Sequence, residues 1–188
     1  AKKSFKTYLA VGQLYEELQN YETASYFHQR CLEISVEFKY IEGQALAFKG
    51  LGICEERVLN KGEAMSHLET ALEKAVEGML DSIAREISRD LVRVYQSIAI
   101  EYQDKNEFDL SLTFFEKCLD VAKRAHDKDK EAECYQQIAL IQEKVSPDNH
   151  DHAIEYLQKF LELGIENNNK EKQGEAHKML ADIYSRNG

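Results

Sequence analysis

GQALAFKGLGICEERVLNKGEAMSHLETALEKA, residues 43–75, is the stretch whose reading decides the fold. Phe48, Leu51 and Gly52 fall on one stripe of a first helix, and Ala64, Leu68, Ala71 and Leu72 on one stripe of a second. Apolar residues recurring every three or four positions make one face of an α-helix. Lys61-Gly62 marks the turn between the two helices. Gly52, Ala64 and Ala71 are small where the helices must touch, so the stretch predicts a tightly packed helical hairpin.

The same order of large, small and aromatic residues recurs on both sides. Before it, Tyr8, Val11, Gly12 and Tyr15 form one stripe; after a break at Asn20, Ala24, Phe27, Cys31, Leu32 and Ile34 form the next. Gly12 is expected where a partner backbone comes close. After it, Tyr95, Ile98, Ala99 and Tyr102 lead through a turn at Lys105-Asn106 to Phe108, Ser111, Phe114, Phe115, Cys118 and Leu119. A fourth copy runs from Tyr135, Ile138 and Ala139 to Ala153, Tyr156, Leu157, Phe160 and Leu161. Its turn contains Pro147, which cannot continue a helix, and Asp148 or Asp151 is the expected cap of the next one.

Beyond Asn167-Asn168-Asn169, His177, Leu180, Ala181 and Tyr184 take the first-helix positions again. The matching second helix is absent, so part of the stripe, around Met179 and Ile183, is expected to face solvent unless more chain or a partner covers it. Gly12 to Gly52 is a spacing of 40 and Gly52 to Ala99 one of 47, so residues 80–89 should lengthen a flanking helix. The reading is all-α, a single array over 1–188. Its repeats are 4–38, 43–80, 83–126 and 130–166, with the first helix of a fifth at 172–188. The start at AKKSF without Met, and the abrupt stop, read as a segment of a longer protein.

Composition limits the function. With 43% hydrophobic and 31% charged residues, the chain has enough apolar material for a core, and its single Pro favours helices. The balance of 24 basic and 34 acidic residues gives −10, the wrong sign for neutralising phosphates. Nucleic acid and anionic membrane surfaces are therefore not expected partners, and basic protein faces are. Cys31, Cys54, Cys118 and Cys134 show no CxxC spacing and lie within apolar stripes, which predicts buried thiols in a reducing, cytoplasmic compartment. No run is apolar enough to insert in a bilayer.

Nothing points to catalysis: there is no Gly-rich phosphate loop, nucleophile elbow or paired metal ligands on a helix. Asp148, His150, Asp151 and His152 read as a surface turn, and DKNEFD from Asp104 lacks the Gly and terminal Glu of a calcium loop. Ser146-Pro147 fits a proline-directed kinase as a minor feature. The chain is read as a non-enzyme with no cofactor and no metal site.

These residues resemble tetratricopeptide repeats, whose first helix (A) wants an aromatic, Leu-Gly and Tyr, and whose second (B) wants Ala, an aromatic and Ala. Two features depart from that pattern: the usual Pro after helix B is missing, and the period is about 40 where the family has about 34. Links such as NNNKEKQGEAHKMLA are similar to those of the Leu-Gly-Asn (Pins) and rapsyn type, and the whole chain is similar to axonemal members of the family.

The resemblance implies an α-solenoid, a right-handed superhelix of antiparallel helix pairs whose A helices line a concave groove. The groove positions fall on Leu9 and Gln13, then Lys49, Ile53 and Arg57, then Gln96 and Ile100, then Gln136 and Leu140, with Lys178 and Asp182 at the end. Family members that clamp a chaperone's C-terminal carboxylate use Lys and Asn here; only Lys49 matches, which excludes that role. The implied function is an adaptor that holds a peptide or amphipathic helix with apolar and basic residues. The implied setting is a larger complex of a cilium or flagellum, associated with axonemal dynein and the cytoskeleton. The alternatives are a spacer using its convex face and the regulatory domain of a larger enzyme.

Overall fold

The computed structural model describes residues 2–187, which form nine α-helices and no strand. They are α1 (Lys2–Glu17), α2 (Tyr21–Glu37), α3 (Ile41–Arg57), α4 (Lys61–Glu77), α5 (Asp81–Asp104), α6 (Phe108–Arg124), α7 (Lys128–Val145), α8 (Asp151–Glu166) and α9 (Lys170–Asn187). The architecture is an all-α solenoid of helix pairs. Two compact units divide it, Ala1–Val94 and Tyr95–Gly188. Residues 81–89 of the long link supply the first turns of α5, and Leu80 precedes it.

Each connection except that between α7 and α8 reverses the chain through one residue in the left-handed region, at φ between 50° and 64°. Between α3 and α4 that residue is Leu59: its N–H bonds to Glu56 O at 3.1 Å and the Asn60 N–H to Glu55 O at 2.9 Å. This pair of bonds closes a helix C-terminus and reverses the chain in three residues. The turn expected at Lys61-Gly62 is thus corrected to Val58–Asn60. Lys61 and Gly62 open α4, and a Cβ on Gly62 would meet nothing within 4 Å.

Before α8, Pro147 lies outside either helix and His150 takes the cap position without a side-chain cap bond; Asn149, one residue earlier, accepts the Asp151 N–H on its Oδ1 at 3.1 Å. Asp151, expected as the cap, is the first helical residue, where its carboxylate instead faces the positive end of the helix.

The B helices show why the stripe packs. Ala24, His28, Cys31 and Ser35 of α2 are buried, as are Ala64, Leu68, Ala71 and Ala75 of α4. Ser111, Phe115, Cys118 and Ala122 of α6, and Ala153, Leu157, Phe160 and Gly164 of α8, hold the same offsets. A small residue at the first and last position lets the neighbouring helix approach; the second position fills the space between.

Ser111 breaks the alanine pattern, and its buried Oγ has no hydrogen-bond partner. An unsatisfied buried hydroxyl costs about 1–3 kcal/mol. Ser111→Ala is therefore expected to raise stability by about 1 kcal/mol, read as a higher urea midpoint at unchanged slope. A lower midpoint would show that the hydroxyl is satisfied.

In the A helices, Gly52 packs as expected of a close approach: a Cβ there would lie 2.7 Å from Leu68 Cγ and 3.2 Å from the Ala64 carbonyl oxygen. Gly12 does not face a backbone. A Cβ on it would meet the His28 ring at 2.8–3.1 Å, so the glycine makes room for an imidazole.

The register of α9 also differs from expectation. Ala176, Leu180 and Ile183 are buried, and His177, Ala181 and Tyr184 are exposed. Among the described residues α9 packs on α8, and Gln136 and Arg186 link it to α7; its buried face turns toward these neighbours and its solvent face away.

Candidate functional site

The positions that the resemblance assigns to a groove lie on helices α1, α3, α5, α7 and α9, and each unit carries its own set. In the first unit, Leu9 packs on the cluster of Phe5, Cys31 and Ala47, while Gln13 is exposed. Lys49 and Ile53, one turn apart on α3, are half-buried; Arg57, a turn further, is exposed. The Lys49 Nζ donates to Glu86 Oε2 at 2.7 Å, and this bond holds the Glu86 carboxyl below its usual range.

One helical face further on, Arg93 grips Glu56 with two parallel bonds of 2.6 Å each and reaches Asp90 at 3.1 Å. Two such oxygens held by one guanidinium fix orientation as well as charge. Burial raises the Asp90 carboxyl, against the pull of Arg93. The face of the first unit is thus laced by ion pairs between α3 and α5, and the ammonium of Lys49 is already matched within the chain.

In the second unit, Ile100 is 50% exposed and Leu140 38%, at equivalent positions on α5 and α7. Gln96 and Gln136 are half-buried beside them. The Gln136 amide donates to Glu175 at 3.3 Å and lies 3.9 Å from Met179 Sδ. Glu143 accepts from Arg186 at 2.8 Å and contacts His150 Nδ1 at 2.5 Å. Lys178 and Asp182 are exposed. The face offers two apolar side chains, with amides and paired charges along its edge.

Two groups are not legible in the sequence. The first comprises Glu86, Arg93 and Glu175, which occupy the cations and amides of the face and sit 37 or 39 residues from their partners, a separation that local periodicity does not report. The second is centred on His28. Its Nε2 lies 2.5 Å from Glu16 Oε1, and Cys54 lies beside them, so three helices meet at one buried polar cluster. Burial, then the charges of Glu16 and Glu55, push the Cys54 thiol up to about 12. Burial alone pushes Cys31 to about 11. Cys118 and Cys134 are buried with their sulfurs 2.9 Å apart.

In the turn with two histidines, His150 contacts Glu143 while Asp148, Asp151 and His152 are exposed, so the four do not converge. No helix among the described residues is long and apolar enough to cross a membrane.

Comparison with known proteins bears on the fold and on one repeat. Residues 92–124 match the tetratricopeptide repeat family. No curated protein matches the sequence. A solved aspartyl phosphate phosphatase F from Bacillus subtilis superposes with a TM-score of 0.58 at 14% identity, over 93% of this chain and 44% of that one. BtubC from P. vanneervenii gives 0.55 at 18% identity, over 88% and 65%. The apo form of RapI gives 0.53 at 19%, over 98% and 70%. The chain therefore spans less than half of the first of these proteins and just under two thirds of the second. At such identities the likeness is one of fold, and it agrees with the helix pairs described above. The matches support a tetratricopeptide repeat at residues 92–124 within an all-α solenoid.

Proposed function

We propose that the chain is a non-catalytic adaptor that captures a peptide or amphipathic helix on its A-helix face, with the anchoring contacts in the second unit. The observation that carries this reading is the exposure of Ile100 and Leu140 at equivalent positions of successive A helices. Burying an aliphatic side chain fully stabilises by about 1.5–3 kcal/mol, so two half-open ones are a ready source of affinity. The net charge of −10 favours a ligand whose apolar anchors are flanked by Lys or Arg. The repeat ranges 4–38, 43–80, 83–126, 130–166 and 172–188 belong to the same proposal, each adding one A helix.

Photo-crosslinkers at positions 100 and 140 should capture the ligand, and ones at Thr113 and Glu162, exposed on the B helices α6 and α8, should not. Ile100→Asp with Leu140→Asp should weaken capture at least tenfold while helical content stays constant. Ile53→Asp is a poorer test, because Ile53 is half-buried and a charge there also strains the fold. Crosslinking from the B helices instead would make the array a spacer that works through its convex side.

The finer setting, a cytoplasmic Leu-Gly-Asn/rapsyn-type module in a dynein-associated assembly of the axoneme, rests on the resemblance of the repeat links. Tagged chain in ciliated cells is expected along the axoneme; staining confined to the cell body would remove this part of the proposal.

A further inference from the structure

His28 stands where the equivalent B helices carry Leu68, Phe115 and Leu157, all buried and apolar. The solenoid packs without an imidazole there, so the histidine is not demanded by the repeat. The chain nonetheless makes a slot for it. A Cβ on Gly12 of α1 would come within 2.8 Å of the ring, and one on Gly50 of α3 within 2.5 Å. One helical turn beyond each glycine stands a polar group: Glu16 after Gly12, Cys54 after Gly50. Residues four apart share a helix face, so the two helices that flank the ring also bring these groups to it.

We propose that Glu16, His28 and Cys54 form a binding site for a divalent, borderline-soft transition metal of the zinc type. A carboxylate oxygen, a ring nitrogen and the sulfur lie within 4.8 Å of one another. His28 is 1% and Cys54 2% exposed, while the Glu16 side chain is 20% exposed, which leaves one open edge for a water as fourth ligand. Three protein ligands plus water is a recurrent zinc arrangement.

Charge and chemistry agree with that ion. A carboxylate and a thiolate carry two negative charges, which a divalent cation neutralises inside a buried cluster. The thiol proton leaves to solvent on binding, and the imidazole ligates through the lone pair of one ring nitrogen, its proton staying on the other. Metal–ligand bonds of about 2.0–2.3 Å put tetrahedral ligand atoms about 3.3–3.5 Å apart. The Glu16 to His28 contact of 2.5 Å must open, a movement within reach of the partly exposed Glu16 side chain. The hydrogen bonding of the ring is incomplete: Nε2 is used by Glu16 and buried Nδ1 has no hydrogen-bond partner.

Co²⁺, added to the metal-stripped 188-residue chain, is the probe. One equivalent should give the visible bands of tetrahedral cobalt and a near-ultraviolet thiolate-to-cobalt band, and Zn²⁺ should displace it and raise Tm. Cys54→Ala should lose the thiolate band, and His28→Leu, which places the residue found at two equivalent positions, should weaken binding about a hundredfold at unchanged helicity. If either variant fails to fold, the spectrum of the unmutated chain decides. No thiolate band at one equivalent would overturn the proposal and leave a hydrogen-bonded Glu16–His28 pair beside an inert thiol. A band that survives in Cys54→Ala would overturn it by assigning the metal to another cysteine.

Discussion

Gly50→Ala is expected to destabilise the chain by about 3 kcal/mol, the upper end for overpacking a filled core. The added Cβ would sit 2.5–2.6 Å from Nδ1, Cε1 and Cγ of His28, closer than any real contact. The ring has little room to retreat: toward α1 it lies so close to Gly12 that a Cβ added there would come within 2.8–3.1 Å of it, and Nε2 is held by Glu16. Gly62→Ala is the matched control: it is also helical, meets nothing within 4 Å, and should gain about 0.5–1 kcal/mol from helix propensity alone. Urea denaturation of both variants separates steric from backbone effects. In a His28→Ala background, Gly50→Ala should cost less than about 1 kcal/mol, a coupling that residues in contact show. An equal cost in both backgrounds would mean that the ring is not what Gly50 makes room for.

Phe115→Ala is expected to cost about 3–5 kcal/mol, the range for deleting a buried aromatic side chain. Phe115 is 1% exposed in the middle of α6, flanked along the stripe by Ser111, Cys118 and Ala122, which are too small to collapse into the space. Domains of this kind have about 5–15 kcal/mol in total, so the second unit should be close to unfolding at ordinary temperature. Phe115→Leu, which installs the residue found at Leu68 and Leu157, should retain much of the stability. The equivalent truncation at Phe114 should cost less, since that ring is half-buried and stacks on Tyr102 at 5.7 Å. Equal losses at 114 and 115 in thermal melts would contradict the stripe assignment.

Both predictions depend on where the core lies, and most of that was legible without coordinates. Ala64, Leu68 and Ala71 could be recognised as one face because a helix repeats every 3.6 residues, and a pattern of that period is local. The turns were legible as regions and not as residues. Leu59, a large apolar side chain, takes the left-handed position because bonds to Glu55 and Glu56 close the helix, and the nearby Gly62 has no part in it.

The candidate sites divide the same way. Ile100 and Leu140 are expected as groove positions from the family resemblance; the structure adds only that they are exposed, whereas Leu9 packs against a cluster of core residues. That Lys49 is matched by Glu86, and Gln136 by Glu175, depends on neighbouring A helices meeting at a given height, which no stretch of sequence encodes alone.

By itself, then, the sequence determined the helix stripes and the small-residue seams, because each follows from spacings of about two helical turns or less, and it showed the same pattern returning after 40 or more residues. Only the tertiary structure decided which face of α9 is buried, which turn residue carries the positive φ, and which charges pair. It also brought Glu16 and Cys54 to either side of His28, 12 and 26 residues away, a convergence made by stacking three helices. Gly50, along the chain just one more small residue of the 43–75 stretch, is where the two levels meet: its type is read from the chain, and its reason is the ring on the next helix.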